Sequence, residues 1–173
     1  MAIKFGTDGW RDLIADNFTF ENVRLCSQAV ANYMKSHNIH DNGIMVGYDT
    51  RFGSKDFAST VAEVLAGNEI PVLLCDRSAP TPVVSYNLVD RDCGAGVVIT
   101  ASHNPAEWNG FKFKPGYGGS ASADIVEELE SEIKIIEKSR KYTCLTLQKG
   151  LDNGLIEMIN PEPAYLNHIA GMV

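Results

Sequence analysis

Ala95-Gly96-Val97-Val98-Ile99 runs straight into Thr100-Ala101-Ser102-His103-Asn104-Pro105, and Asn109-Gly110-Phe111-Lys112 follows. An unbroken apolar run bounded by turn-forming residues reads as a strand buried on both faces. A serine, a histidine and an amide therefore stand where a buried strand ends and the chain turns sharply. In α/β proteins chemistry collects in such loops, because the sheet holds them rigidly at its carboxyl edge.

Outward from this stretch, strands and helices alternate. Ile44–Tyr48 and Ile70–Cys75 read as further buried strands, and Phe111–Lys114 as a strand after the loop. Residues 20–36 form an amphipathic helix, with Val23, Ala29, Val30, Tyr33 and Met34 near helical spacing and Thr19 as N-cap. A second helix spans 56–67, capped by Ser54 or Asp56 and ended by Gly67. Thr81 caps a third, with Pro82 at its first position, that runs to about Asp90. In a fourth, over 123–138, Ile125, Leu129, Ile133 and Ile136 share a face; acids lead and lysines follow, as the helix dipole favours.

Residues 2–5 are expected as a short first strand. The resulting order predicts an α/β fold: a three-layer α/β/α sandwich around a mostly parallel, mixed sheet. Past Arg140 the signal weakens. Leu145 with Leu147, and Ile156–Ile159, suggest strands, and Ala164–Met172 a helix. Residues 1–140 are expected to form the domain that carries the serine, with 141–173 as its C-terminal extension. The chain stops without terminating logic, so further domains are expected in a longer protein.

A chain of 173 residues suits one domain, and 45% apolar with 21% charged residues is ordinary for a globular protein. A net charge of -7 argues against general nucleic-acid binding, which needs a basic face. It leaves room for a small anionic ligand at a local cluster of cations. No apolar stretch reaches the roughly 20 residues that span a bilayer, and Met1–Phe5 lacks the apolar centre of a signal peptide. Cys26, Cys75, Cys93 and Cys144 are scattered and form no C-x-x-C pair, so zinc and a disulfide framework are disfavoured. The expectation is a reduced, cytoplasmic protein with mostly buried thiols and neither membrane nor nucleic acid as partner.

A serine hydroxyl is a weak nucleophile unless activated or already carrying a group. His103 is adjacent to Ser102, so the two side chains point apart, and the G-x-S-x-G elbow of serine hydrolases is missing. The spacings of a P-loop and of a dinucleotide fingerprint are missing too. A phosphoryl carrier fits better: a phosphoserine after a strand, cradled by backbone N–H groups and neutralised by cations. Lys112 lies one short loop further on, and Gly110 would let it return to the site. The alternative for Lys112 is an edge-strand lysine that blunts the sheet. Arg11, in Phe5-Gly6-Thr7-Asp8-Gly9-Trp10-Arg11, is either solvated in a turn or aimed at an anion. Arg51 either pairs with Asp49 or another acid, or faces the site; the structural role is favoured. Asp90-Arg91-Asp92 reads as a solvated turn.

Thr100-Ala101-Ser102-His103-Asn104-Pro105 with Asn109-Gly110-Phe111-Lys112 resembles the active-serine loop of the α-D-phosphohexomutases. Phe5–Arg11 resembles that family's N-terminal loop, and Gly47-Tyr48-Asp49-Thr50-Arg51 a further short signature. The resemblance implies a resting phosphoserine at Ser102 that interconverts hexose 1- and 6-phosphates through a bisphosphate, with a hexose 1,6-bisphosphate as activator. It implies catalytic roles for Ser102, Lys112, Arg11 and His103, and substrate contacts for Arg11, Lys112 and Asn104. Pro105 would help to fix the loop, and Arg51 would support it. It implies Mg²⁺ on the Ser102 phosphate, together with three aspartates of a D-G-D-G-D-R loop.

That aspartate loop is absent from the sequence, as are the family's sugar-recognition loop and its R-x-S-G-T-like phosphate loop. The resemblance therefore covers the first of four domains, and the chain alone is expected to be inactive as a mutase. Asp8-Gly9 is shared with phosphoglucosamine mutases, while Trp10 and Glu107–Lys112 look more like the phosphoglucomutase/phosphomannomutase branch. Phosphoglucosamine mutase domain I and a non-catalytic phosphosugar-binding module stay open as alternatives.

Overall fold

The computed structural model describes residues 3–6 and 8–172. Along it run β1 (Trp10–Leu13), α1 (Phe20–Ser36), β2 (Ile44–Tyr48), α2 (Ser54–Gly67), β3 (Val72–Cys75) and α3 (Thr81–Asp90). There follow β4 (Ala95–Ile99), β5 (Trp108–Pro115), α4 (Ala123–Ser139), α5 (Leu147–Asp152), β6 (Ile156–Ile159) and α6 (Glu162–Ala170). The strands form one sheet in the order β1-β5-β4-β2-β3-β6. β4, β2, β3 and β6 are parallel neighbours, and β5 is antiparallel to both β4 and β1. Only β5 runs against the rest, so the sheet is mixed and mostly parallel.

β2 and β4 are buried along their whole length, which explains their continuous apolar runs. From β2 the chain moves outward to β3, then crosses back past β2 to β4. Right-handed crossovers for two opposite moves place α2 and α3 on opposite faces. Val84 and Leu88 of α3 press on Gly47 and Gly96, glycines of the central strands. α1 packs against α2 and α4, and α3 against α6, giving the α/β/α layers.

The first strand departs from expectation. Ala2 lies outside the described residues, and Ile3–Phe5 join no strand. Ile3 and Phe5 are nonetheless buried, Phe5 edge-on to Phe111, and Phe5 N donates to Glu130 Oε1 at 2.8 Å. The sheet instead takes Trp10–Leu13, whose indole stacks on Phe18. Apolar content alone did not separate two core-filling residues, Ile3 and Phe5, from a hydrogen-bonded strand.

Thr19 caps α1, its side chain accepting from Asn22 N at 3.2 Å. At α2 the cap position belongs to Gly53, left-handed at φ 71°. Ser54 is the first helical residue, and its hydroxyl donates to Asp49 Oδ1 at 2.7 Å. α3 starts one residue early, with Pro80 at its cap. Leu147 begins a helix rather than a strand, because Thr146 caps it through Lys149 N. Leu145 N and Leu147 N donate instead to the backbone carbonyl and the carboxylate of Glu63. Beyond them β6 extends the sheet beside β3.

Candidate functional site

Three loops at the carboxyl ends of β2, β3 and β4 enclose an open cleft of about 640 Å³. Asp49 to Phe52 come from the first loop and Pro80 and Thr81 from the second. Thr100, Ser102, Asn104 and Ala106 come from the third. A parallel sheet delivers its ligands to this edge, where consecutive crossovers part to opposite faces.

Ser102 stands exposed in the third loop with a positive φ of 57°. A serine held in the left-handed region is uncommon and costs strain, so the surrounding contacts must fix it. They are specific. Ser102 N donates to Thr100 Oγ1 at 2.9 Å, and Asn104 N to Ala101 O at 3.1 Å. These two amides close the turn.

Arg51 holds the loop's main chain. Its Nη1 donates to the carbonyls of Pro105 (2.7 Å) and Trp108 (3.1 Å), and its Nη2 to those of Ser102 (2.8 Å) and Asn104 (2.6 Å). Nε pairs with Asp49 Oδ2 at 3.2 Å. The rigid guanidinium fork spreads its five donors over three nitrogens and so spans acceptors that a compact ammonium could not reach together. Asp49 in turn accepts from Arg51 N and from Ser54 Oγ. Ser54 Oγ accepts from Asn109 Nδ2 at 2.9 Å, and Asn109 Oδ1 accepts from Gly110 N at 2.8 Å. A continuous polar chain therefore ties the β2 loop to the start of β5 beneath the serine. Arg51 has the structural role favoured from sequence, and the reach of its contacts exceeds that expectation.

Arg11 Nη1 donates to Asn104 Oδ1 at 3.2 Å, which joins the N-terminal segment to the serine loop. Arg11 pairs with Gly110 in the β1–β5 register. A Cβ at Gly110 would stand 2.5 Å from Thr100 O and 3.0 Å from Arg11 Cγ, so only glycine lets these three segments meet. Of the expected site residues, Ser102, Asn104 and Arg11 thus come together.

Lys112 is not an edge lysine. β5 lies between β1 and β4, and Lys112 is buried. Its Nζ donates to Asp8 Oδ2 at 2.7 Å, and Lys114 Nζ donates to Asp8 Oδ1 at 2.9 Å. Burial pushes the Asp8 carboxyl up, but hydrogen bonds and charge from Lys112 and Lys114 outweigh it and leave it below the usual carboxylate value. Asp8 and Arg11 also line a small cleft with Lys4, Gly6 and Gly9. Thr7 of this segment lies outside the described residues. His103 is exposed, with no hydrogen-bond partner among the described residues. The alternation Lys112-Phe113-Lys114 signalled two lysines on one face; nothing in the sequence singled out Asp8 as their partner.

Among the described residues no cluster of three or more His, Cys, Asp or Glu could hold a metal ion. Asp8 and Asp49 are both engaged by cations, so the donors present here do not fit a complete Mg²⁺ site.

Residues 2–140 match the family described as phosphoglucomutase/phosphomannomutase, alpha/beta/alpha domain I. A phosphoglucomutase of Staphylococcus saprophyticus is 35% identical over 162 residues, 90% of this chain and 28% of its own. A phosphoglucosamine mutase of Acetivibrio thermocellus is 37% identical over 175 residues, covering 100% of this chain and 37% of its own. A crystal structure from Thermus thermophilus, provisionally described as a phosphomannomutase, superposes with a TM-score of 0.84 at 28% identity. The match covers 100% of this chain and 36% of that one. The chain thus spans roughly a third of the proteins it resembles.

Proposed function

We infer the function from a secured premise: the chain belongs to the phosphoglucomutase/phosphomannomutase family and contains its α/β/α domain I. We propose that Ser102 is the phosphoryl carrier of a phosphohexomutase acting on glucose or mannose phosphates, within a cytoplasmic enzyme completed by domains II–IV. The observation that carries this reading is the tie between Arg11 of β1 and the fixed loop that bears Ser102, through Arg11 Nη1 on Asn104 Oδ1 at 3.2 Å. An exposed serine in a loop that a guanidinium holds suits a group that must carry a dianion and pass it on.

In the forward step the bond from phosphorus to Ser102 Oγ breaks as a bond to a sugar hydroxyl oxygen forms. The sugar hydroxyl loses its proton, and Ser102 Oγ regains one when it leaves as a free serine. After the sugar turns over, the second phosphate returns to Ser102. Phosphoryl transfer asks mainly for position and charge stabilisation, which Arg11 and Lys112 supply and Asn104 orients. His103, at the loop's exposed face, contacts the phosphoserine or the sugar. The Ser102 phosphate would offer one oxygen to Mg²⁺, with the remaining ligands outside this sequence.

The test is intact-mass and peptide mapping after incubation with glucose 1,6-bisphosphate, run on the chain and on the protein carrying domains II–IV. One phosphoryl group on Ser102 in the longer protein, lost in Ser102→Ala, is expected, with mutase turnover in the longer protein only. Turnover by the chain alone would overturn the expectation of inactivity. Labelling unaffected by Ser102→Ala, or no labelling in the longer protein, would overturn the carrier. Relatives named for glucose and for glucosamine are about equally similar. Competition between glucose, mannose and glucosamine phosphates therefore decides the sugar.

A further inference from the structure

Gly9, at φ 99°, brings the chain down onto β5. A Cβ there would collide with the Phe111 carbonyl and stand 2.9 Å from Lys112 Cα. This close approach lays Asp8 across the two lysines of an interior strand. Lys112 and Lys114 are two residues apart and share a face. Their side chains are only 7% and 6% exposed. Both ammonium groups converge on one carboxylate, Lys112 on Oδ2 and Lys114 on Oδ1, and Ser120 Oγ is a third donor to that carboxylate, on Oδ1 at 3.2 Å. Arg11, paired with Gly110, leaves the sheet on the same face beside Lys112.

Two ammonium groups against one carboxylate leave this buried cluster positive. Stability alone is poorly served by that, since desolvating the extra charge is expensive. A lysine side chain is also long and loses much rotamer freedom when fixed. A lysine that meets transferring oxygens gains from having that freedom removed beforehand.

We propose that Asp8 is the positioning residue for Lys112, and that Lys114 and Ser120 act one step further out by fixing the Asp8 carboxylate. The functional half of this rests on the role given to Lys112 above. Gly9 is the geometric condition for the arrangement, because a side chain there would lift Asp8 off the strand.

The first measurement needs no turnover: ¹⁵N-resolved spectra of the lysine ammonium groups in the 173-residue chain. Slow-exchanging signals are expected for Lys112 and Lys114. Asp8→Asn should remove the slow Lys112 signal and Asp8→Glu should restore it in part. Lys114→Met and Ser120→Ala should speed Lys112 exchange to a lesser degree, and they serve if Asp8→Asn does not fold. An unchanged Lys112 signal in a folded Asp8→Asn chain, or in both outer variants, overturns the proposal. The second measurement is turnover in the protein carrying domains II–IV. Asp8→Asn should lower kcat on the order of a hundredfold with KM little moved, the scale of a misplacement of about 1 Å. Adding Asp8→Asn to Lys112→Met should then cost little more, because the two act as a unit. If Lys112→Met abolishes turnover and Asp8→Asn does not, the positioning role is lost. If Lys112→Met leaves turnover intact, the reading of Lys112 fails while the spectroscopic relation survives.

Discussion

Arg51 Nη2 donates to the carbonyl oxygen of Ser102 at 2.8 Å. A residue from the loop after β2 thereby fixes the main chain of a residue from the loop after β4. The serine's left-handed backbone persists because its carbonyl, along with those of Asn104, Pro105 and Trp108, is held by one rigid guanidinium. Site geometry here is a property of two neighbouring parallel strands, and Arg51 is the bolt between them.

Arg51→Ala should therefore lower stability by about 2–4 kcal/mol, since it leaves Asp49 without its cation and takes a charged donor from four carbonyls. Arg51→Lys should recover little of this, because an ammonium cannot span the same acceptors. Urea unfolding of the three chains measures it, and peptide-resolved hydrogen exchange should localise the loosening to residues 100–108. Wild-type stability in Arg51→Lys would show that charge, rather than the fork, matters.

Asp8 gives the cluster a pH signature of known sign. Its folded pKa lies below the unfolded one, because burial, which raises it, is outweighed by Lys112 and Lys114. Its stabilising contribution is then fully present above the unfolded carboxylate value, near pH ~4, and is lost as pH falls through the folded value. Unfolding free energies taken from neutrality down through that range should fall less steeply in Asp8→Asn than in the unaltered chain. Parallel curves would mean that the Asp8 carboxylate is not differentially held in the folded state.

The thiols offer a check on the core. Cys26, Cys75 and Cys93 are buried and Cys144 is exposed. Burial pushes the Cys26 thiol far up, and pushes Cys75 up to about 12 with the Asp76 charge adding to it. Thiolate is the reactive form, so both should be inert in the folded chain. A maleimide at neutral pH should label one of the four thiols quickly, and Cys144→Ser should abolish that label. Fast labelling of Cys26 would place the α1 face nearer solvent than its packing indicates.

The strand–helix alternation, the loop after β4 and the exposed Ser102 were all legible in the sequence. Each depends on local signals: unbroken apolar runs, helical stripes, and turn residues at fixed places. What escaped was non-local. Ile3 and Phe5 are as apolar as a strand, yet they fill core without pairing, while Trp10–Leu13 pairs with β5. The edge-strand alternative for Lys112 stayed open because no periodicity tells that β1 will cover β5. The Asp8 contact spans 104 residues of sequence, and the Arg51 contacts 51 to 57. Motif spacing carries no information about such closures.

The glycine between Asn109 and Phe111 is the most exacting position on the floor of the site. Gly110 N donates to the Asn109 side chain, and Gly110 O accepts from Thr100 N at 2.9 Å, so its backbone carries the first link between β5 and the serine loop. A methyl group at this position would stand 2.5 Å from Thr100 O and 3.0 Å from Trp10 O, and both are backbone atoms that cannot rotate away. Gly110→Ala must then separate β5 from β1 or from the serine loop. We expect a loss of about 1–3 kcal/mol, the usual cost of overpacking, with much of the movement at Thr100–Ser102. The loop shift should also lengthen the Arg11–Asn104 contact, so Ser102 phosphorylation should slow more than the stability loss alone would explain. Thermal unfolding and the rate of Ser102 labelling in the protein carrying domains II–IV separate the two effects. A variant that is destabilised but labels at the normal rate would show that the Arg11–Asn104 link does not set the serine's reactivity.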